Sequence, residues 1–131
     1  MIVVDTSVMV RLVVGGRAGA EAAQLFRRDP EWAAPAILMS ELRAVLLAMV
    51  SRRTITADQA RAMCDDAALA LGRRMVAVPA VRVLDTALDC GLPAPDAEFV
   101  VAARELGVLL ATGDRAVLAS ARYIAFWVGG G

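Results

Sequence analysis

Apolar and polar positions along this chain switch repeatedly between short unbroken runs and helical stripes. Ile2-Val3-Val4 is apolar and β-branched and reads as a buried strand over residues 2–5. Ser7 can cap a short helix carrying Val8, Leu12 and Val13, which ends at Gly15-Gly16. A second helix is predicted over residues 18–28 and is broken at Asp29-Pro30. Trp32-Ala33-Ala34 is a short strand candidate, and Pro35 opens a long helix to Arg52. In that helix Ile37, Leu38, Leu42, Val45, Leu46 and Met49 form a stripe of 3.6-residue period. Thr56 with Gln59 three residues later spells a capping box for a helix to Leu71. Met75 to Val78 is a strand, and Pro79 opens a helix to Cys90 that Gly91 closes. Pro93 and Pro95 lead into a helix ending at Leu106-Gly107. Val108 to Ala111 is a strand, Thr112-Gly113-Asp114 a turn, and a short helix follows. Tyr123 to Val128 forms the last strand, and the glycine-rich end is expected to fray.

Short apolar strands alternating with helices predict an α/β fold, a mostly parallel sheet of about five strands with helices on both faces. Neither a repeat, a low-complexity linker nor a charge block interrupts the 131 residues, so one domain over 1–131 is expected.

Composition adds a second constraint. The hydrophobic fraction is 59% and the mean hydropathy +0.60, both high for a water-soluble chain. Still, the apolar runs fall short of the ~18 residues a membrane span needs. The start has neither a basic region nor a cleavage-site pattern, so a cytoplasmic protein without membrane attachment is expected. A large core plus a partner interface accounts for the excess apolar surface.

Formal charge is zero, with 14 basic and 14 acidic residues, which argues against a global electrostatic grip on nucleic acid. Every basic residue is arginine; lysine and histidine do not occur. That excludes Ser-His-Asp and Cys-His catalysis, Schiff-base lysines and a Walker lysine. Metal would be held by oxygen, which favours Mg²⁺ or Mn²⁺ over zinc. Cys64 and Cys90, far apart in apolar surroundings, read as buried reduced thiols.

Four acids stand where a core would not place them. Asp5 ends the first strand; taken alone, it is equally well explained as part of a helix cap with Thr6 or Ser7. Glu41 shares a helix side with Ile37, Leu38 and Val45, where an uncompensated carboxylate costs several kcal/mol. An ion pair with Arg43 or Arg11 is the plain alternative, although Arg43 faces elsewhere on the helix. Asp96 sits at a helix start, where the helix dipole alone would favour an acid. Asp114 follows the fourth strand and is a typical turn residue. Together they tell more: parallel strands bring all four to one sheet edge. Four carboxylates there need cations or raised pKa values, and divalent metal is the natural compensation in a chain without lysine or histidine.

The pattern resembles PIN-domain nucleases, and most closely the VapC-type toxins of bacterial type II toxin–antitoxin pairs. It is carried by Val3-Val4-Asp5-Thr6-Ser7-Val8, by Ser40-Glu41-Leu42-Arg43, by Asp96-Ala97-Glu98-Phe99-Val100-Val101-Ala102-Ala103, and by Leu110-Ala111-Thr112-Gly113-Asp114. Each motif is short, but four in the family's order cover nearly the whole chain. The resemblance implies a three-layer α/β/α sandwich and Mg²⁺- or Mn²⁺-dependent RNA cleavage. It makes Asp5 and Asp96 the metal ligands, with Glu41 and Asp114 completing the catalytic pocket and Thr6, Ser7 and Thr112 supporting it. One departure is that many PIN domains carry a further acid where this chain has Arg115-Ala116-Val117, so the resemblance carries a first metal ion better than a second.

Arg11, Arg43, Arg104 and Arg115 are candidates for phosphate contact, with solvated helix faces as the plain alternative for each. One tyrosine and two tryptophans give little sign of an aromatic stacking platform. As a toxin, the chain would take RNA as substrate, a cognate antitoxin as partner and a second copy as a homodimer. The rival from another class is an interaction module whose acids are only structural. A haloacid-dehalogenase-like phosphatase wants an acid two residues after Asp5, where Ser7 stands, and a receiver domain wants a lysine.

Overall fold

A computed structural model describes residues 1–130. Its strands are β1 (Ile2–Val4), β2 (Trp32–Pro35), β3 (Met75–Val76), β4 (Leu110–Thr112) and β5 (Ala125–Trp127). Its helices are α1 (Thr6–Val14), α2 (Ala20–Arg28), α3 (Ile37–Ser51), α4 (Ala57–Leu71), α5 (Ala80–Cys90), α6 (Ala94–Leu106) and α7 (Arg115–Ser120). A 3₁₀ turn over Arg17–Gly19 joins α1 to α2. The strands pair in the order β3-β2-β1-β4-β5, and every pair is parallel.

That order carries a consequence. From β1 the chain winds outward through β2 to β3, then crosses back to β4 and β5. Right-handed crossovers put α1 to α4 on one face and α5 to α7 on the other. The contacts agree: α1 packs on α2, α3 and α4, while α6 packs on α5, β1, β2 and β4. The winding reverses between β1 and β4. Ligands of open α/β sheets bind at such a switch point, outside the carboxyl ends of the strands.

Burial follows from the layering. β1, β2 and β4 are buried throughout, as strands covered on both faces must be. Val3, Val4, Trp32, Leu38, Leu42 and Leu110 are fully buried and anchor the main core. The Phe26 and Trp32 rings pack T-shaped, 5.1 Å between centroids. Among the described residues, no helix is long and apolar enough to cross a membrane.

The structure shifts several local expectations, among them the last strand, which spans only Ala125–Trp127, and Cys64 and Cys90, which are half-buried rather than buried. Pro35 ends β2 rather than opening α3, which starts at Ile37. β3 stops at Val76. β4 begins at Leu110 and includes Thr112, which pairs with Trp127 on β5; Leu109, 53% exposed, still accepts from Val3 N through its carbonyl at 2.9 Å. Asp5, not Ser7, caps α1: its Oδ1 accepts from the Val8 amide at 3.2 Å. A carboxylate before the first turn meets the free amides and the positive end of the helix dipole, which a hydroxyl answers less strongly. The fraying expected of the glycine-rich end extends to Gly131, outside the described residues.

The capping box is present in both directions, Gln59 N donating to Thr56 Oγ1 at 3.1 Å and Thr56 N to Gln59 Oε1 at 2.9 Å. Thr56→Ala is expected to lower stability by about 1 kcal/mol, the usual cost of a lost N-cap. Urea denaturation checks this; an unchanged midpoint would mean that α4 is held by its packing alone.

Candidate active site

Four helices begin at the carboxyl edge of the sheet, and each brings one of the four acids. Asp5 is the N-cap of α1 and Asp114 the N-cap of α7, its Oδ1 accepting from Ala116 N at 2.8 Å. Asp96 lies in the first turn of α6, and Glu41 one turn into α3. The plain explanations offered for Asp5, Asp96 and Asp114 are therefore all satisfied. The same geometry gathers the acids, because helices following or preceding parallel strands present their N-termini to one edge. The positive ends of these helices partly offset the charge collected there.

Asp5 lies at the centre. It is only 7% exposed and takes three hydrogen bonds, from Val8 N, from Ser7 Oγ and from Thr112 Oγ1. Thr112 is fully buried, and its hydroxyl also accepts from Asp114 N at 3.0 Å. Ser7 Oγ in turn accepts from Gly113 N at 3.0 Å. The β4–α7 corner is thus tied to the β1–α1 corner through two hydroxyls that both end on the Asp5 carboxylate. Thr6 serves a different acid, donating from Oγ1 to Glu41 Oε1 at 2.6 Å.

Burial pushes the Asp5 carboxyl above its ordinary value; the bonds from Ser7, Thr112 and Val8 oppose this, and the charge on Asp114 adds to it. Asp96 is raised by burial and then by Asp114, Glu41 and Asp5. Glu98 is raised by burial and by Glu41. The four acids are therefore within electrostatic reach of one another, and Glu98 joins them at the rim. The signal that finds it is the apolar run around it: Ala97 and Phe99 to Ala103 are buried, which leaves α6 little polar face there.

None of the four acids forms an ion pair among the described residues, whose salt bridges are Met1–Asp29, Asp58–Arg61 and Arg82–Glu105. The ion pair considered for Glu41 is thus replaced by its bond to Thr6. The donor set is all oxygen and uncompensated, which suits a hard divalent cation. Yet among the described residues no three acids or cysteines come close enough to cage a metal by themselves.

The arginines separate. Arg11 lies beside the site: it shares a shallow pocket with Thr6, Ser7 and Glu41, and its Nη1 donates to Val128 O at 2.6 Å. A Cβ on Gly113 would overlap the Arg11 guanidinium, so the glycine lets the β4–α7 corner approach it. Arg115 follows Asp114 directly and stacks over Trp127. Arg43 lines a groove between α3 and α4, and Arg104 reaches Thr86 on α5, so neither is gathered with the acids.

Stability should carry the mark of this charge. Raised carboxyls make the metal-free folded state bind protons more tightly than the unfolded chain. Their contribution is complete below the ordinary value of 3.8 and is lost as pH rises through the raised values. In EDTA, the melting temperature of the native chain is expected to fall relative to Asp5→Asn as pH rises from about 4 to 7. Parallel curves for the two proteins would contradict a strained Asp5 carboxylate.

Comparison with known proteins agrees with this architecture. The PIN domain family matches residues 2–124. The crystal structure of PAE2754 from Pyrobaculum aerophilum superposes with a TM-score of 0.73 at 23% identity, over 97% of this chain and 90% of that one. At that identity the likeness shows the fold. Comparison with curated proteins gives no match. With the family's match running across β1, α3, α6 and β4, the chain belongs to the PIN domain family.

Proposed function

We propose that this protein is a Mg²⁺- or Mn²⁺-dependent endoribonuclease acting as the toxin of a toxin–antitoxin pair in the cytoplasm. PIN domains are generally metal-dependent nucleases. The observation that carries the reading here is the buried, triply hydrogen-bonded Asp5 amid three further acids, none of them paired to an arginine among the described residues. A purely structural role would leave that charge uncompensated.

In this reading Asp5 and Asp96 hold the metal, and Thr112 and Ser7 fix the Asp5 carboxylate. A bound divalent ion supplies charge for the scissile phosphate and acidifies water. Glu41, oriented by Thr6, and Asp114, fixed by its cap bonds, order the attacking water, and one of them takes its proton. The water oxygen bonds to phosphorus as the P–O3′ bond breaks. The products are a 5′-phosphate and a 3′-hydroxyl, the latter reprotonated from solvent. Arg11 and Arg115 are the phosphate contacts nearest the acids, and Arg43 and Arg104 serve RNA only at longer reach.

The partner assignments rest on apolar surface. A groove of about 510 Å³ between α3 and α4 is lined by Leu46, Leu47, Val50 and Cys64, and suits an apolar antitoxin segment that carries a basic side chain toward the acids. Val81, Leu84 and Leu88 stand 69%, 58% and 73% exposed along one side of α5, a stripe that suits a second copy. Induced expression is expected to arrest growth of a bacterial host, and Asp96→Asn to relieve the arrest. Arrest by both proteins equally would remove the toxin assignment. For the rival interaction module, calorimetry decides: binding of Mn²⁺ that Asp5→Asn abolishes excludes it, and no binding at millimolar metal favours it.

A further inference from the structure

We infer that Trp127, braced by Arg115, is the nucleobase-stacking residue of this site, and that the pair fixes the RNA beside the scissile phosphate. The inference rests on the ribonuclease reading and adds to it a residue that no motif marks. The two tryptophans have opposite environments: Trp32 is fully buried in the core, whereas Trp127 is 38% exposed. Trp127 is the last residue of β5, and its register partner on β4 is Thr112, whose hydroxyl donates to Asp5. Paired strands run about 5 Å apart, so the indole stands one strand from the centre of the acidic site, on the same carboxyl edge. Arg115 is the first residue of α7, directly after Asp114, and its guanidinium carbon lies 4.8 Å from the centroid of the Trp127 ring.

This placement is unusual for residues with only a structural task. The indole is not in the core, and the Arg115 guanidinium bonds to no carboxylate among the described residues. What the pair offers is an aromatic face and a fixed positive charge, the combination with which proteins hold single-stranded RNA. A base stacks on the indole, and Arg115 takes a phosphate adjoining that base. Trp127 also borders a cleft of about 270 Å³ lined by Glu21, Gln24 and Arg28 of α2; Glu21 accepts from Gly129 N, and Gln24 and Arg28 supply hydrogen-bonding groups for a base edge. Acids beside the scissile phosphate repel the rest of the backbone, so a cation one residue from Asp114 is placed where binding needs it.

Steady-state cleavage of a 12-nucleotide single-stranded RNA in Mg²⁺ and in Mn²⁺ tests the inference. A matched set in which each RNA carries one abasic nucleotide is run beside it. For the wild type, one abasic position should raise KM about tenfold, the scale of one lost base stack. Trp127→Leu should show that raised KM on intact RNA, with kcat within about twofold and no further rise on the abasic set. Trp127→Phe should restore most of the affinity, and Arg115→Gln should raise KM and flatten its salt dependence. Wild-type KM for Trp127→Leu, or an abasic effect that persists in it, overturns the inference and leaves the ribonuclease reading intact. Should the leucine variant fail to fold, the abasic set on wild type decides: no position-dependent rise overturns the inference. Absence of cleavage by the wild type in either metal overturns the reading itself, and the inference with it.

Discussion

Asp5→Asn and Asp96→Asn are each expected to lower metal-dependent RNA cleavage by about a hundredfold or more, the scale of removing one preorganised electrostatic contact from an active site. For Asp5 the loss should come without unfolding. The asparagine carbonyl can still accept from Val8 N and Ser7 Oγ, and the Thr112 hydroxyl can rotate to accept from the new amide. Burial already raises the Asp5 carboxyl, so removing its charge relieves the metal-free protein rather than burdening it. One substitution should therefore abolish activity and raise the melting temperature in EDTA at neutral pH. That opposition separates a catalytic carboxylate from a structural one. A structural Asp5 would lose stability on replacement, and any lost activity would follow the lost fold. Kinetics on the purified variants together with thermal melts read both effects.

Thr112→Val should have the next largest effect, a loss of about 10- to 100-fold in cleavage, as is common when a partner orienting a metal ligand is removed. The substitution keeps volume and β-branching in a fully buried strand position, so β4 should still form. What disappears is the bond to Asp5 and the acceptor for Asp114 N. Losing a hydrogen bond to a charged group should also cost about 1.5–3 kcal/mol of stability. Thr112→Ser keeps the hydroxyl and should recover most of the activity. If valine and serine behave alike, the hydroxyl has no part in holding Asp5, and the link between the two corners of the sheet is only packing.

These effects rest on features of unequal legibility in the sequence. The elements were readable because local chemistry and tertiary packing agree in them: the Thr56 capping box, Gly91 and Gly107 closing α5 and α6, and apolar strands flanked by helical stripes. Parallel pairing followed from that alternation, and with it the common edge for Asp5, Glu41, Asp96 and Asp114. Strand limits are less readable, since the end of β4 at Thr112 rather than Ala111 is set by its pairing with Trp127. It is also the difference between Thr112 as a turn residue and as the buried donor to Asp5. Trp127 is beyond reach for another reason. It is marked by its register with Thr112, a relation that leaves no trace in local periodicity. The arginines show the limit most plainly. Arg11 and Arg43 were equal candidates, yet one reaches over the β4–α7 corner and the other lines a groove on α3 and α4.

The most direct measurement is cleavage of a single-stranded RNA by the purified protein with Mg²⁺ or Mn²⁺ and with EDTA, followed by analysis of the product ends. The acidic site predicts cleavage that needs the metal, stops in EDTA, leaves 5′-phosphates and vanishes in Asp5→Asn. Cleavage that persists undiminished in EDTA or in Asp5→Asn would contradict it.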